Sequence, residues 1–133
     1  MKRIIIVDDN ELFAQSLAEG IRRLTDFHVA VVPNGREALS RLRHEKTHLV
    51  ITDLQMPVMG GVELIASLWK THPDTPVIIM TAYGTERMVE MLEDTGISWF
   101  LEKPFKLETL ALLTKKILKS HTPEPEKTVH VSQ

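Results

Sequence analysis

Five short apolar runs recur along the chain and are separated by longer stretches of mixed polarity. Most of the runs are apolar throughout instead of alternating with polar residues, which is typical of strands covered on both faces in a parallel sheet. The predicted strands are Ile4–Val7, Phe27–Val32, His48–Asp53, Val77–Thr81 and Ile97–Leu101.

The stretches between these runs carry apolar residues every three or four positions, the spacing of an amphipathic helix. Asp9 or Asn10 can cap the first helix. Asn34 and Glu37 predict a capping box at the start of the second helix. The inward-facing residues of the five predicted helices are Phe13, Leu17, Ile21 and Leu24; Ala38, Leu39 and Leu42; Leu64, Ile65 and Leu68; Met88, Val89, Met91 and Leu92; and the stripe from Leu107 to Leu118.

Strands that alternate with helices in this way predict a doubly wound α/β fold with one parallel sheet of five strands and five helices. The periodic pattern covers residues 1–120, which we expect to form one domain. It ends at His121, and residues 121–133 are polar and contain Pro123 and Pro125. We expect this segment to be a flexible tail or linker.

Composition and charge argue against nucleic-acid binding, a membrane span and a signal peptide. The chain has 133 residues and a net charge of −2, which gives no footprint for nucleic acid, so we expect no direct nucleic-acid contact. It has no cysteine, and no apolar run is long enough to span a membrane. The apolar segment after Met1-Lys2-Arg3 is too short for a signal peptide and ends at Asp8. We therefore expect a cytoplasmic protein with no membrane contact.

Reactive side chains follow four of the predicted strands. Asp8 and Asp9 come after the first strand, Asp53 ends the third, Thr81 ends the fourth, and Lys103 follows the fifth. The carboxyl ends of parallel strands meet at one edge of the sheet, where ligands bind in this class of fold. The pattern therefore predicts that these five residues form one cluster.

The chemistry of that cluster favours phosphoryl transfer to Asp53. Three carboxylates in one cleft repel one another, and either Mg²⁺ or the ammonium of Lys103 can relieve the repulsion. A carboxylate nucleophile together with a metal, a lysine and the Thr81 hydroxyl suits an aspartyl phosphate intermediate. Each residue alone is more ordinary, as a cap, a turn residue or a solvated charge, but four strand ends supplying different parts of one site favour the functional interpretation.

The motifs that carry this cluster resemble the receiver domain of bacterial two-component response regulators. They are Asp8-Asp9, the run from Thr52 to Gly61, Met80-Thr81-Ala82-Tyr83-Gly84 and Lys103-Pro104-Phe105. The match extends over roughly residues 2 to 120. The runs that contain Thr81 and Lys103 resemble those in receivers of enhancer-binding-type transcriptional regulators. The resemblance implies the flavodoxin-like receiver fold with strand order 2-1-3-4-5.

The resemblance also implies a metal and an acceptor. Asp53 is expected to be the phosphoacceptor, and Asp9 and Asp53 to be carboxylate ligands of Mg²⁺. The backbone carbonyl of Gln55 is expected to be a third ligand, with Asp8 acting largely through water.

Three further residues take roles by the same resemblance. Lys103 is expected to bind the phosphoryl group, Thr81 to be the switch hydroxyl, and Phe100 to be the switch aromatic. Gly60 departs from the family, which often has Asp or Asn before Gly61, and Trp99 is unusually large beside Phe100.

The implied function is a signalling switch that accepts a phosphoryl group from a histidine kinase or a phosphotransfer protein. It would be no enzyme beyond its own phosphorylation and autodephosphorylation. The partner-binding face would comprise the predicted fourth helix, fifth strand and fifth helix and could serve a homodimer or a C-terminal output domain, which this sequence lacks. The alternatives are a phosphorylation-independent interaction module and an aspartyl-nucleophile phosphatase, although the latter class has an acid where this chain has Gln55.

Overall fold

The computed structural model describes residues 2–54, 58–82, 99–119 and 129–131. The strands are β1 (Arg3–Val7), β2 (His28–Val32), β3 (Leu49–Asp53), β4 (Val77–Thr81), β5 (Trp99–Glu102) and β6 (Val129–Val131). The helices are α1 (Glu11–Leu24), α2 (Gly35–His44), α3 (Gly61–Thr71) and α4 (Leu107–Lys119). Helix α4 is the fifth helix predicted from the sequence, and the predicted fourth helix lies outside the described residues.

The strands form one parallel sheet in the order β2-β1-β3-β4-β5-β6, which confirms the predicted order of the first five. Strand β1 lies between β2 and β3, with Val7 opposite both Val32 and Thr52. Strand β4 pairs with β3 and β5, and Thr81 lies opposite Glu102. All described strands therefore end at the same edge.

Alternate residues of each strand enter two separate cores, one on each face of the sheet. Ile4 and Ile6 pack with α1 and α4 on the first face, while Ile5 and Val7 pack with α2 and α3 on the second. Apolar side chains are needed on both faces because helices cover both. This is the physical reason why the strand runs lack an alternating pattern.

The predicted helix starts are confirmed at two asparagines. The Asn10 side chain accepts from the Phe13 N–H at 3.1 Å, and the Asn34 side chain accepts from the Glu37 N–H at 3.0 Å. Each bond satisfies a donor that has no partner within the first helical turn. Several strand boundaries differ from the predicted ones by one residue. Phe27, for example, precedes β2, and its N–H donates to the Thr25 hydroxyl at 3.1 Å.

The sixth strand is a difference from the predicted five-stranded sheet. Residues 129–131 lie in the segment predicted as a flexible tail, yet they pair in parallel with β5. The three-residue run Val-His-Val is too short for a strand to be predicted, and the domain boundary at residue 120 stays a prediction.

None of the helices in the described ranges is long and apolar enough to cross a membrane.

Candidate functional site

The acidic cluster lies at the carboxyl ends of β1 and β3. Because Val7 pairs with Thr52, Asp8 and Asp53 each follow by one position on neighbouring strands. Each of Asp8, Asp9 and Asp53 offers a carboxylate oxygen, and these three oxygens lie within 4.8 Å of one another. The structure thus brings the three predicted carboxylates together.

Short backbone contacts fix the orientation of two of these side chains. The Asn10 N–H donates to Asp8 Oδ1 at 2.9 Å, and the Leu54 N–H donates to Asp53 Oδ1 at 2.9 Å. The Asp8 N–H itself donates to the Val32 carbonyl at 3.1 Å, which extends the β1–β2 ladder into the site. The carboxylates are therefore held by the chain that carries them, before any ligand is bound.

Gly61 is a supporting residue whose role the sequence did not reveal. A Cβ atom on Gly61 would lie 2.6 Å from the Asp53 carbonyl oxygen and 2.9 Å from Leu54 Cα, both backbone atoms that cannot give way cheaply. The Gly61 N–H also donates to the Leu54 carbonyl at 2.9 Å. A side chain on the first residue of α3 would therefore collide with the backbone of Asp53 and Leu54.

Lys103 reaches the same cluster from β5. Its backbone N–H donates to the Thr81 carbonyl at 2.7 Å, which joins the ends of β4 and β5. Its Nζ lies 3.7 Å from Asp53 Oδ1 and 3.8 Å from Asp8 Oδ2. Thr81 is buried at the end of β4, the strand next to Asp53. The five residues predicted to cluster therefore share one edge of the sheet.

The charges of this cluster are unbalanced, since three carboxylates face one ammonium. Burial raises the pKa of Asp8 above its ordinary 3.8, and the negative charges of Asp53 and Asp9 raise it further, against the Asn10 hydrogen bond and the Lys103 charge. The site therefore stores electrostatic repulsion that a bound cation would relieve.

A hard divalent cation fits this set of donors. Asp8 Oδ2 is buried and has no hydrogen-bond partner among the described residues, so it is an orphaned acceptor on a residue of the cluster. Mg²⁺ binds oxygen ligands and commonly uses one or two carboxylates together with retained waters. Asp8, Asp9 and Asp53 can supply such ligands, and the two excess negative charges match the charge of the ion.

Two aromatic rings near Lys103 were assigned no role in the site from the sequence. Lys103 Nζ lies 4.5 Å from the centroid of the Phe13 ring. Phe105 meets Phe13 edge to face, with centroids 6.4 Å apart and an interplanar angle of 66°. The spacing of Phe13 on α1 indicated only a core residue, because a helical period cannot distinguish an inward ring from one at the rim of a site.

The remaining predicted residues divide into two groups. Phe100 is fully buried in the core on the α2–α3 face, and its role as the switch aromatic stays a prediction. Gln55, whose carbonyl was predicted as a metal ligand, lies outside the described residues, as does Tyr83. The same holds for the predicted fourth helix of the partner-binding face.

The family model for the response regulator receiver domain matches residues 4–115. A response regulator receiver protein of Anaeromyxobacter is 38% identical over 104 residues, which are 78% of this chain and 43% of that protein. The chemotaxis protein CheY of Thermotoga maritima is 30% identical over 118 residues, 89% of this chain and 98% of that one.

Solved structures of receiver proteins have the same fold as this chain. The chemotaxis protein CheY4 of Vibrio cholerae superposes with a TM-score of 0.83 at 26% identity, covering 89% of this chain and 99% of that chain. The first curated relatives are longer proteins, and this chain spans about half of their length.

Proposed function

Since this chain belongs to the response regulator receiver family, we propose that it is a phosphoacceptor switch whose Asp53 takes a phosphoryl group from a histidine kinase or a phosphotransfer protein. Receiver domains are in general signalling modules and not enzymes that turn over a separate substrate. The proposal names the acceptor residue, the donor class and the metal for this chain.

One observation carries the assignment of Asp53. Asp53 is the carboxylate of the acidic cluster that is partly exposed and also lies close to the Lys103 ammonium, at 3.7 Å, at the open carboxyl edge of the sheet. Asp9 is exposed, and Asp8 is almost fully buried. Asp53 is partly buried, so an incoming phosphoryl group can reach it while its charge is shielded on one side.

A carboxylate oxygen of Asp53 attacks the phosphorus of a phosphohistidine, the new P–O bond forms as the P–N bond breaks, and the departing imidazole takes a proton from solvent. Lys103 would hold one of the peripheral phosphoryl oxygens, where charge must be stabilised. The Thr81 hydroxyl would serve another of these oxygens.

Bound Mg²⁺ would neutralise charge on the phosphoryl oxygens and on the carboxylates. Asp9 and Asp53 would hold it directly and Asp8 largely through water, while the Gln55 carbonyl is carried over from the family resemblance alone. The excess negative charge and the orphaned Asp8 oxygen support this part of the proposal.

The response to phosphorylation would start at Thr81. We propose that Thr81 moves toward the phosphoryl group and that the Phe100 ring responds, altering the face formed by β5, α4 and the predicted fourth helix. Register places Phe100 opposite Ile79 on β4, two positions before Thr81, so a shift of β4 reaches its backbone directly. A homodimer partner or an output domain on that face is part of this proposal, as is a cytoplasmic location.

The decisive experiment is intact-mass spectrometry after incubation with Mg²⁺ and acetyl phosphate. The unmodified protein is expected to gain one phosphoryl group, and Asp53→Asn to gain none. Asp74→Asn, which removes an exposed aspartate in the turn before β4, is the matched control and should react like the parent. Stoichiometric phosphorylation of Asp53→Asn would overturn the assignment, and an unreactive parent would favour the phosphorylation-independent module.

A further inference from the structure

The ammonium of Lys103 stands apart from the carboxylates that should attract it. Charge-assisted hydrogen bonds between ammonium and carboxylate groups are about 2.7–2.9 Å long, whereas Lys103 Nζ is 3.7 Å from Asp53 Oδ1 and 3.8 Å from Asp8 Oδ2. The lysine side chain is 26% exposed, so water surrounds only part of it. A second contact on the protein competes with the carboxylates for the ammonium.

That contact is the Phe13 ring. Lys103 Nζ lies 4.5 Å from the ring centroid, within the range at which the negative face of an aromatic ring attracts a cation. Phe105, two residues after Lys103, packs edge to face against the same ring. The segment after β5 therefore contacts the Phe13 ring twice, through the Lys103 ammonium and through the Phe105 ring.

We propose that Phe13 is a positioning residue for Lys103, holding its ammonium beside the acidic cluster and out of the space between the carboxylates. This inference rests on the proposed function, in which that space belongs to Mg²⁺ and Lys103 acts on the phosphoryl group. Without the ring, the ammonium would close on Asp8 and Asp53 and compete with the metal for their oxygens.

The simpler alternative is that Phe13 only fills the core. It does pack against the cluster on the α1–α4 face. The two roles differ in one respect, because a core residue acts whatever stands at position 103, while a positioning residue acts only through the Lys103 charge. Their consequences can therefore be separated by a double-mutant cycle.

The cycle measures Mg²⁺ affinity by titration calorimetry in the parent, Phe13→Leu, Lys103→Met and the double variant. Phe13→Leu is expected to weaken Mg²⁺ binding about fivefold, the size of a single partly exposed cation–π contact. In the Lys103→Met background the same change is expected to have no effect. Phe13→Tyr retains a π face and should rescue the affinity. Equal weakening by Phe13→Leu in both backgrounds would overturn the proposal.

A second measurement uses the metal-free protein and needs no activity. The Lys103 ε-methylene protons should be shifted upfield in the NMR spectrum by the Phe13 ring, in the parent and in Phe13→Tyr. The shift should be lost in Phe13→Leu. Unshifted protons in the parent would overturn the proposal even if Phe13→Leu failed to fold or if no variant bound Mg²⁺.

The two proposals can fail separately. A parent protein that shows the ring shift but accepts no phosphoryl group from acetyl phosphate would refute the proposed function and leave the lysine placement standing. A parent that is phosphorylated at Asp53 but shows no ring shift would refute the role of Phe13 alone.

Discussion

The two ends of the β1–β3 strand pair carry opposite charges, and each end pushes one titratable group toward its neutral form. At the carboxyl end, burial and neighbouring carboxylates raise the pKa of Asp8. At the amino end, burial lowers the pKa of His48 below its ordinary 6.5, and the positive charges of Lys2, Lys46 and Arg3 lower it further. The same pair of strands thus ends in an acidic cleft and in a basic rim.

The ends differ in how the charge is relieved. At the amino end, Arg3 Nη1 lies 2.7 Å from Glu45 Oε2, in an exposed pair. The neutral His48 ring is also used there, since its Nδ1 accepts from the Arg3 N–H at 3.0 Å while the His48 N–H donates to the Arg3 carbonyl at 2.8 Å. At the amino end, residues of the protein therefore provide the ion-pair and hydrogen-bond partners.

At the carboxyl end, the carboxylates lack enough positive charge and hydrogen-bond donors among the described residues. Lys103 supplies one positive charge at a distance, and Asp8 Oδ2 has no hydrogen-bond partner in the described part of the chain. Charge that the fold leaves uncompensated is available to a ligand, which is how a binding site differs from a structural ion pair. Substitutions that change the charge at either end test this difference.

Removing one metal ligand should have the largest effect. Asp9→Asn is expected to weaken Mg²⁺ binding at least about tenfold, since even outer-shell partners of a metal commonly contribute that much. Glu11→Gln, a neighbouring exposed carboxylate on α1 outside the cluster, is the matched control and should change little. Calorimetric titration of both variants decides the matter, and equal affinities would mean that only the overall negative charge of this end attracts the ion.

Removing the buried charge should stabilise the metal-free protein. Asp8→Asn is expected to raise the free energy of unfolding at pH 7 by about 1–3 kcal/mol, because the neutral amide carries no charge to be desolvated or to be repelled by Asp53 and Asp9. Exposed Asp9 provides the control, because Asp9→Asn relieves no burial.

The pH dependence gives the sign for Asp8. A carboxyl whose pKa is higher in the folded than in the unfolded protein favours folding at low pH, and that contribution is lost as pH rises from 3.8 through the raised pKa. The advantage of Asp8→Asn should therefore shrink in urea titrations as the pH is lowered toward 3.8. A gain that is constant from pH 7 to pH 4 would exclude the buried charge as its cause.

Much of this arrangement could be predicted from the sequence because it follows from local pattern and one topological rule. Apolar runs such as Ile4–Val7 predicted buried strands, and the shared carboxyl edge then brought Asp8, Asp53 and Lys103 together. Strand β6 could not be predicted in this way, since three residues carry no periodicity and their place depends on the free edge of β5.

The supporting residues of the site were missed for a different physical reason. Phe13 holds Lys103 and Gly61 lies against the Asp53 carbonyl through contacts between separate elements. Helical spacing assigns Phe13 to the core, and a glycine after a loop indicates a turn wherever it occurs. Only the distances across the fold distinguish these residues from others of their type.

The amino end should respond to acid in the opposite direction. Because the pKa of His48 is lowered in the folded protein, the neutral ring favours folding above pH 6.5, and this contribution is lost as pH falls below 6.5. Protonation of His48 Nδ1 removes the acceptor of the Arg3 N–H, whereas His48→Asn keeps an acceptor at every pH. The variant should therefore flatten the stability profile below pH 6.5 by about 1 kcal/mol, the value of one hydrogen bond.

The control for this variant is His28→Asn, on the neighbouring strand at the same end, where the side chain is exposed. Urea denaturation between about pH 7.5 and about pH 5, a range that brackets the ordinary histidine pKa, compares the three proteins. A stability profile that is the same in His48→Asn and in the parent would show that the protonation of His48 does not affect folding.

The smallest effect should come from the exposed ion pair that compensates the basic rim. Glu45→Gln is expected to cost about 0.2–1 kcal/mol of unfolding free energy, because both side chains are nearly half exposed and water screens them. The loss should disappear in about 1 M salt, where the screening length falls to about 3 Å. Arg3→Gln combined with Glu45→Gln gives the coupling between the two charges, and the pair Arg23–Glu19, which is exposed on α1, is the matched reference. A coupling for Arg3–Glu45 well above that of the reference pair, and retained in high salt, would mean that the amino end depends on a specific ion pair as strongly as the carboxyl end depends on a cation.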